Sequence, residues 1–314
     1  MRRRFVARHV HEIVIGVLLA VILGVGAWLE PGFVSLDTQL DLSSHATELA
    51  LLALPMTLII ISGGIDLSVG STMALAAVTL GLLFEAGAPI WAASLAAIGT
   101  GALAGSLNGV FVAHVRVHPL IVTLASLAAF RGLAEGISRG RPISGFPSGF
   151  LRLGEGAIGG VPYPMLIVAA AAVGFAAFAW RTVPGFRIYA VGDNERAARY
   201  SGVPVDRLKL ALYTLSGAAA GVAAVLFAAR RNTAKADVGA GIELEVITAV
   251  VLGGTSTTGG RGSILGAILG VAIIHEVREL VSWHWRHDEL ILIVTGAILI
   301  ASVLVNNIAP SRRA

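Results

Sequence analysis

Residues 56–78 read MTLIIISGGIDLSVGSTMALAAV. An apolar run stops at Gly63-Gly64, crosses a short polar turn carrying Asp66 and Ser68, and resumes after Gly70-Ser71. Apolar runs of this kind on both sides of a glycine break read as two helices of a membrane hairpin. An ionisable group beside such runs is costly unless it meets water, a helix end or a partner. Asp66 suits the start of the following helix, where its carboxylate would accept from free backbone N–H groups. The other reading gives it a direct role in a substrate path or gate. Gly63, Gly64, Asp66 and Ser68 are therefore candidates for lining a translocation path.

The rest of the chain agrees with the hairpin. Of 314 residues, 56% are apolar and only 13% charged, and the mean hydropathy is +0.82. A soluble domain carries about 25% charged residues; a surface facing lipid does not need them. At ~20 apolar residues per span, most of the chain is used by about ten helices. They are expected near 12–29, 46–63, 67–86, 91–114, 119–138, 163–181, 209–229, 244–256, 262–283 and 288–306. The fold class is thus an all-α integral membrane protein, with residues 1–314 forming one transmembrane domain. The basic start, MRRRF, leads into an apolar run from Ile13 to Leu29 that is too long for a signal peptide and lacks a cleavage motif.

With the amino terminus placed inside, fourteen lysines and arginines fall in inner segments and eight in outer ones. That bias puts both termini in the cytoplasm. The formal net charge of +4 is spread in short tracts between apolar runs, so orientation in a lipid membrane explains it better than nucleic-acid binding does.

Residues 247–269, ITAVVLGGTSTTGGRGSILGAIL, repeat the plan of 56–78: a helix, the double glycine Gly253-Gly254, a polar turn, and a Gly-Ser pair opening the next helix. Repeated halves with interrupted helices are common in transporters, and their interface often lines the path. Gly253 and Gly254 join the path candidates on that ground, as does Asn108, a polar residue within a span. Small residues recur every four positions at Gly101, Gly105 and Gly109, and at Gly262, Gly266 and Gly270, the stripe that lets membrane helices approach closely. Arg131 and Glu135 are spaced to pair along one helix face.

The inner segment 182–208 is the most charged tract. Asp193 or Asn194 can cap a short amphipathic helix with Glu195 in its first turn, then Arg196, Ala197, Ala198, Arg199, Tyr200 and Ser201, ended by Gly202 and Pro204. Such a knob suits docking of a cytoplasmic partner. The other reading is a helix resting on lipid headgroups through its arginines.

The chain has no Gly-Lys-Ser/Thr phosphate loop, no HExxH and no GxSxG. It has no cysteine, hence no thiolate metal site. His114 and His118 stand four apart without a nearby third ligand. No catalytic or metal centre is expected, and if ATP drives the protein, the ATPase is another chain.

Four segments carry a resemblance: LPMTLIIISGGIDLSVGS (54–71), NGVFVAHVRVHPLIVTLASLAAFRGLAEGISRGRPI (108–143), FRIYAVGDNERAARYSGV (186–203) and ITAVVLGGTSTTGGRGSILGAILG (247–270). In that order they resemble the permease subunits of bacterial ribose-type ABC sugar importers, and most of all the rhamnose and autoinducer-2 permeases. The resemblance implies a permease of the bacterial cytoplasmic (inner) membrane that works by alternating access. It implies a second permease chain, identical or related, ABC ATPase subunits holding ATP and Mg, and a periplasmic sugar-binding protein. This chain would bind no cofactor itself, and the helix near 194–202 would be its coupling helix. The turn GGTSTTGGRGS departs in composition from many members. The competing expectation is an ion-coupled secondary transporter of a small polar solute, which would favour carboxylates deep within spans.

Overall fold

The computed structural model describes residues 2–285 together with 290, 291, 293, 294, 296–298 and 300; side chains are described for 13–284 and for those later positions. Thirteen helices are described: α1 Arg2–Leu29, α2 Leu36–His45, α3 Thr47–Ile61, α4 Val69–Glu85, α5 Ile90–Ala113, α6 Pro119–Ser138, α7 Ser148–Glu155, α8 Tyr163–Arg181, α9 Val183–Asp193, α10 Glu195–Tyr200, α11 Val205–Arg231, α12 Ile242–Leu252 and α13 Ile264–Trp285. Four two-residue strands, β1 Ile143–Ser144, β2 Ala157–Ile158, β3 Val161–Pro162 and β4 Thr233–Ala234, pair antiparallel as β1–β4 and β2–β3.

The all-α expectation holds. Among the described residues, α5, α6, α8 and α11 are long and apolar enough to cross a membrane, and α2 with α3, bent by 57° at their junction, would make a fifth. The shortfall from ten has a local cause. Glycine and polar breaks cut several expected spans short: α3 has 15 residues, α4 has 17 and α12 only 11. The expected tenth span, 288–306, lies largely outside the described residues.

α3 is buried along its whole length, as expected of a helix apolar all round at the centre of a bundle. By contrast, few residues of α6 and α8 are buried; their apolar surfaces are the ones left for lipid. Lipid is as apolar as leucine, so helices in a bilayer are held by close packing and hydrogen bonds rather than by escape from water. The α5 stripe supplies the packing. A Cβ at Gly101 would strike the Gly217 carbonyl, and one at Gly105 the Tyr213 carbonyl, so the α5 and α11 backbones touch. Gly266 and Gly270 likewise seat α13 on Gly253 and Ala249 of α12. Arg230 of α11 and Glu48 of α3 form a buried ion pair at 2.7 Å.

The segments expected as loops are structured. Segment 139–162 contains β1, α7 and the β2–β3 hairpin, and Phe146 and Phe150 are buried with ring centroids 5.4 Å apart. Segment 182–208 holds two helices, α9 and α10, and α11 begins four residues earlier than expected. α9 starts on Thr182, whose hydroxyl accepts from Gly185 N.

Candidate functional site

Two groups of expected residues lie in distinct places. The first is the turn between α3 and α4. α3 ends with Gly63 in the left-handed region, φ +84°. Gly64 N donates to Ile59 O at 2.9 Å, closing the helix end. α12 ends the same way: Gly254 has φ +87°, and Thr255 N donates to Val250 O at 3.2 Å. These residues correspond position by position in the two repeated segments.

Asp66, Ser68 and Asn108 come together in one buried network. Asp66 Oδ1 accepts from Ser68 N at 3.0 Å and from Ser68 Oγ at 2.7 Å. Its Oδ2 accepts from Ser216 Oγ of α11 at 2.9 Å. Asn108 Nδ2 of α5 donates to Ser68 Oγ at 2.8 Å, and Ser126 Oγ of α6 donates to Asn108 Oδ1. Tyr213 Oη donates to Ile65 O at 3.2 Å, and Thr123 also reaches that carbonyl. The start of α4 is thus joined to α5, α6 and α11 by one chain of hydrogen bonds that includes the Asp66 carboxyl group. The expectation that Asp66 caps α4 needs correction. Its carboxylate takes the N–H of Ser68, the residue just before α4, and two hydroxyls instead of N–H groups within the helix. The tight two-residue reach from Asp66 to Ser68 is a local side-chain-to-backbone turn of the kind aspartate makes readily.

Gly253 and Gly254 do not join this network; they lie at the second turn, with Gly253 against Gly266. Arg131 also differs from expectation. Its guanidinium donates to the carbonyls of Ala236 and Val238, in the segment before α12, rather than to Glu135. Backbone carbonyls outside regular secondary structure need hydrogen-bond partners, and the guanidinium supplies them here.

The second group is α10. Asn194 is its cap: Oδ1 accepts from Ala197 N at 3.0 Å, whereas Asp193 closes α9. Ala198 is buried and pins the helix. Glu195 bonds Lys209 Nζ at 2.7 Å and Arg199 at 3.2 Å, and Arg199 forks onto both oxygens of Asp206 at 2.7 and 2.9 Å. Partial burial pushes the Glu195 carboxyl up, but Lys209 and then Arg199 outweigh it and hold it below the usual carboxylate range. The Asp206 and then Glu195 hydrogen bonds raise Arg199, so both stay charged. This lattice braces α10 on the first turns of α11. It leaves Arg196, Ala197, Tyr200, Ser201 and Gly202 exposed, Tyr200 at 94%.

Three contacts were missed in the sequence. Ser216 and Tyr213 complete the Asp66 network, and only the Gly217-Gly221 spacing beside them hinted that α11 meets the α5 stripe. Gly192 is the third. It packs against the Ile61 carbonyl and Gly260 N, which themselves bond at 2.8 Å. Gly192, two residues before the α10 cap, therefore touches both the end of α3 and the second turn at once.

Comparison with known proteins bears on what these parts do. Residues 39–303 match the family model described as branched-chain amino acid transport system / permease component. The chain is 34% identical over 313 residues to the autoinducer 2 import system permease protein LsrD of Escherichia coli, covering 98% of this chain and 94% of that protein. It is equally similar, at 34%, to the same-named protein of Shigella flexneri. The Yersinia enterocolitica protein is 34% identical over 311 residues, covering 97% of this chain and 94% of its own length. No solved structure matches the chain.

Proposed function

The chain belongs to the branched-chain amino acid transport system permease family, and from that membership we propose that it is the pore-forming permease subunit of an ATP-driven importer. Its solute is a small sugar or sugar-like molecule of the rhamnose, autoinducer 2 or ribose class. The observation that carries this is likeness over nearly the full length to permeases of the autoinducer 2 import system.

The finer reading follows from the two sites. The chain spans the inner membrane about ten times with both termini inside, and the α3–α4 and α12–α13 hairpins are its internal repeat; their matched helix ends support this. Gly63, Gly64, Asp66, Ser68, Asn108, Gly253 and Gly254 are the path candidates. α10 is the coupling helix: it is rigidly braced on one side and bare on the other, as a docking element needs. ATP and Mg sit on a separate ATPase, and a periplasmic binding protein delivers the solute to a pore made with a second permease chain. Closure of the ATPase would push α10 and, through Gly192, the end of α3 and the second turn, favouring one of two states by differential binding. An ion-coupled carrier is not favoured, because the relatives are permeases of import systems.

Affinity purification of the chain from its native membrane in mild detergent tests this. Co-recovery of an ATPase chain is the expected result. Recovery of this chain alone in several detergents would overturn it.

A further inference from the structure

The corner between α8 and α9 is tight. Thr182 Oγ donates to Phe178 O at 2.6 Å and accepts from Gly185 N at 3.1 Å, and a Cβ at Gly185 would strike the carbonyls of Phe178 and Ala179. Beyond the corner α9 is held along one side. Ile188 and Val191 are buried, Tyr189 Oη donates to Gly262 O at 3.2 Å, and Gly192 abuts Ile61 O and Gly260 N.

The other side of α9 is bare. Val183 and Phe186 are each 62% exposed. Arg187 stands one turn on from Val183, on the same helix face, and Ala190 extends that face, exposed. Water is a poor neighbour for two large apolar side chains, and α8 indicates what covers them. Leu166, Val173 and Trp180 are exposed at heptad spacing, with Ala170 and Ala177 exposed between them. They form one apolar stripe along a helix long enough to cross a membrane. The stripe ends at Trp180, the residue type suited to a membrane–water boundary, and exposed apolar side chains resume three residues later with Val183 and Phe186. The charges begin at the same level. Arg181 is exposed and Arg187 half-buried, and among the described residues neither pairs with a carboxylate. α10 is the contrast, since Glu195 and Asp206 there neutralise Lys209 and Arg199. A continuous apolar surface with two unpaired guanidiniums at its rim matches an amphiphile whose headgroup is an anionic phosphodiester.

We propose that the α8–α9 corner binds an anionic phospholipid, its acyl chains along the α8 stripe and its phosphate held by Arg181 and Arg187. With α10 meeting a cytoplasmic ATPase, the corner faces the cytoplasmic leaflet, which carries the anionic lipids. The inference goes beyond the import reading and rests on it only for that leaflet. The lipid holds α9 from outside as Ile61 and Gly262 hold it from within, and so steadies the base of α10.

Native mass spectrometry of the full chain, released from micelles holding equal amounts of phosphatidylglycerol and phosphatidylcholine, tests the headgroup. Phosphatidylglycerol should be retained in preference. Arg181→Gln combined with Arg187→Gln should cut that preference roughly tenfold, as the loss of two basic residues at a headgroup layer predicts. Arg207→Gln, at an exposed arginine on α11, should leave it unchanged. Equal retention of the two lipids by wild type, or an equal loss in Arg207→Gln, would overturn the site. The lack of cysteine allows a second test by spin labelling in phosphatidylglycerol-containing vesicles, with and without the co-purified ATPase. A nitroxide on Phe186→Cys should be relaxed more by oxygen than by a water-soluble nickel chelate, and one on Tyr200→Cys without the ATPase should show the reverse. Nickel preference at Phe186→Cys would mean a face in water, and shielding from both agents by the ATPase would mean a protein face; either result sinks the lipid. The mass spectrometry needs no ATPase, so its failure is distinct from a failure to co-recover one.

Discussion

The turn after α3 and the turn after α12 share their hydrogen-bond pattern, with Gly63 and Gly254 both left-handed, yet only the first encloses a carboxyl group. Asp66 makes the first turn a fixed joint, tied to α5, α6 and α11 through Asn108, Ser126 and Ser216. The second turn holds Thr257, Thr258 and Arg261 at the surface and glycines at its contacts. There the backbone of Gly260 reaches Ile61 O, and Gly192 fits between them. One geometry therefore has two settings. The first turn is tied to α5, α6 and α11 by side chains, and the second meets the end of α3 and α9 through backbone.

The largest expected effect comes from breaking the joint. Asp66→Leu strands Ser68 N, Ser68 Oγ and Ser216 Oγ without an acceptor in the buried centre. At roughly 1–3 kcal/mol for each unsatisfied group, thermal unfolding in nanodiscs should drop by the equivalent of at least ~3 kcal/mol. The exposed Thr257→Val in the second turn should stay within about 0.5 kcal/mol. Equal effects would erase the distinction between the turns. Next comes Gly192→Val. Its side chain would drive into the Ile61 carbonyl and Gly260 N, both backbone, and overpacking of this kind costs about 1–3 kcal/mol. Solute moved per ATP hydrolysed should fall with it. Gly149→Ala, which meets open space, is the control that should change neither. Smaller again is Tyr213→Phe, which removes the hydroxyl donated to Ile65 O and should cost about 1 kcal/mol in the same unfolding assay; no loss would mean that Thr123 alone satisfies that carbonyl.

These effects also divide what was legible in the sequence from what was not. The helical class, the two broken hairpins and the capped helix at 195–200 follow from local patterns: apolar run, double glycine, Asn before Glu. α9 was hidden because Pro184 and Gly185 near its start read as loop residues, although proline is at home in a first helical turn. The Asp66 network was half legible. Asp66, Ser68 and Asn108 stand out as polar residues in apolar surroundings, but Ser216 and Tyr213 lie 150 and 148 residues from their partners, and no periodicity within a helix reports what faces it. The cavity of about 230 Å³ that Glu48, Arg230 and His275 help to line was less legible still. Glu48 and Arg230 sit near helix ends, where a charge is ordinary, His275 lies in the middle of α13, and only their convergence sets them apart.

The smallest effect probes α10, the one ionic lattice of this comparison that water reaches. Glu195 is held below the ordinary carboxylate value by Lys209 and Arg199 despite partial burial. Its contribution to stability is therefore fully present above the unfolded-state value near 4.5 and is lost as pH falls through the lower folded value. Lys209→Met removes the stronger partner. Because the Glu195 side chain is 42% exposed, screening limits the loss near neutral pH to about 0–1 kcal/mol. The gap in melting temperature between Lys209→Met and wild type should close as pH is lowered to about 3, below the reference carboxylate range, and should shrink in high salt. A gap indifferent to both would mean that Lys209 holds α10 by packing its stem. The Lys209 brace would then resemble the glycine contacts at the second turn, and the charged link between α10 and α11 would rest on the Arg199–Asp206 pair.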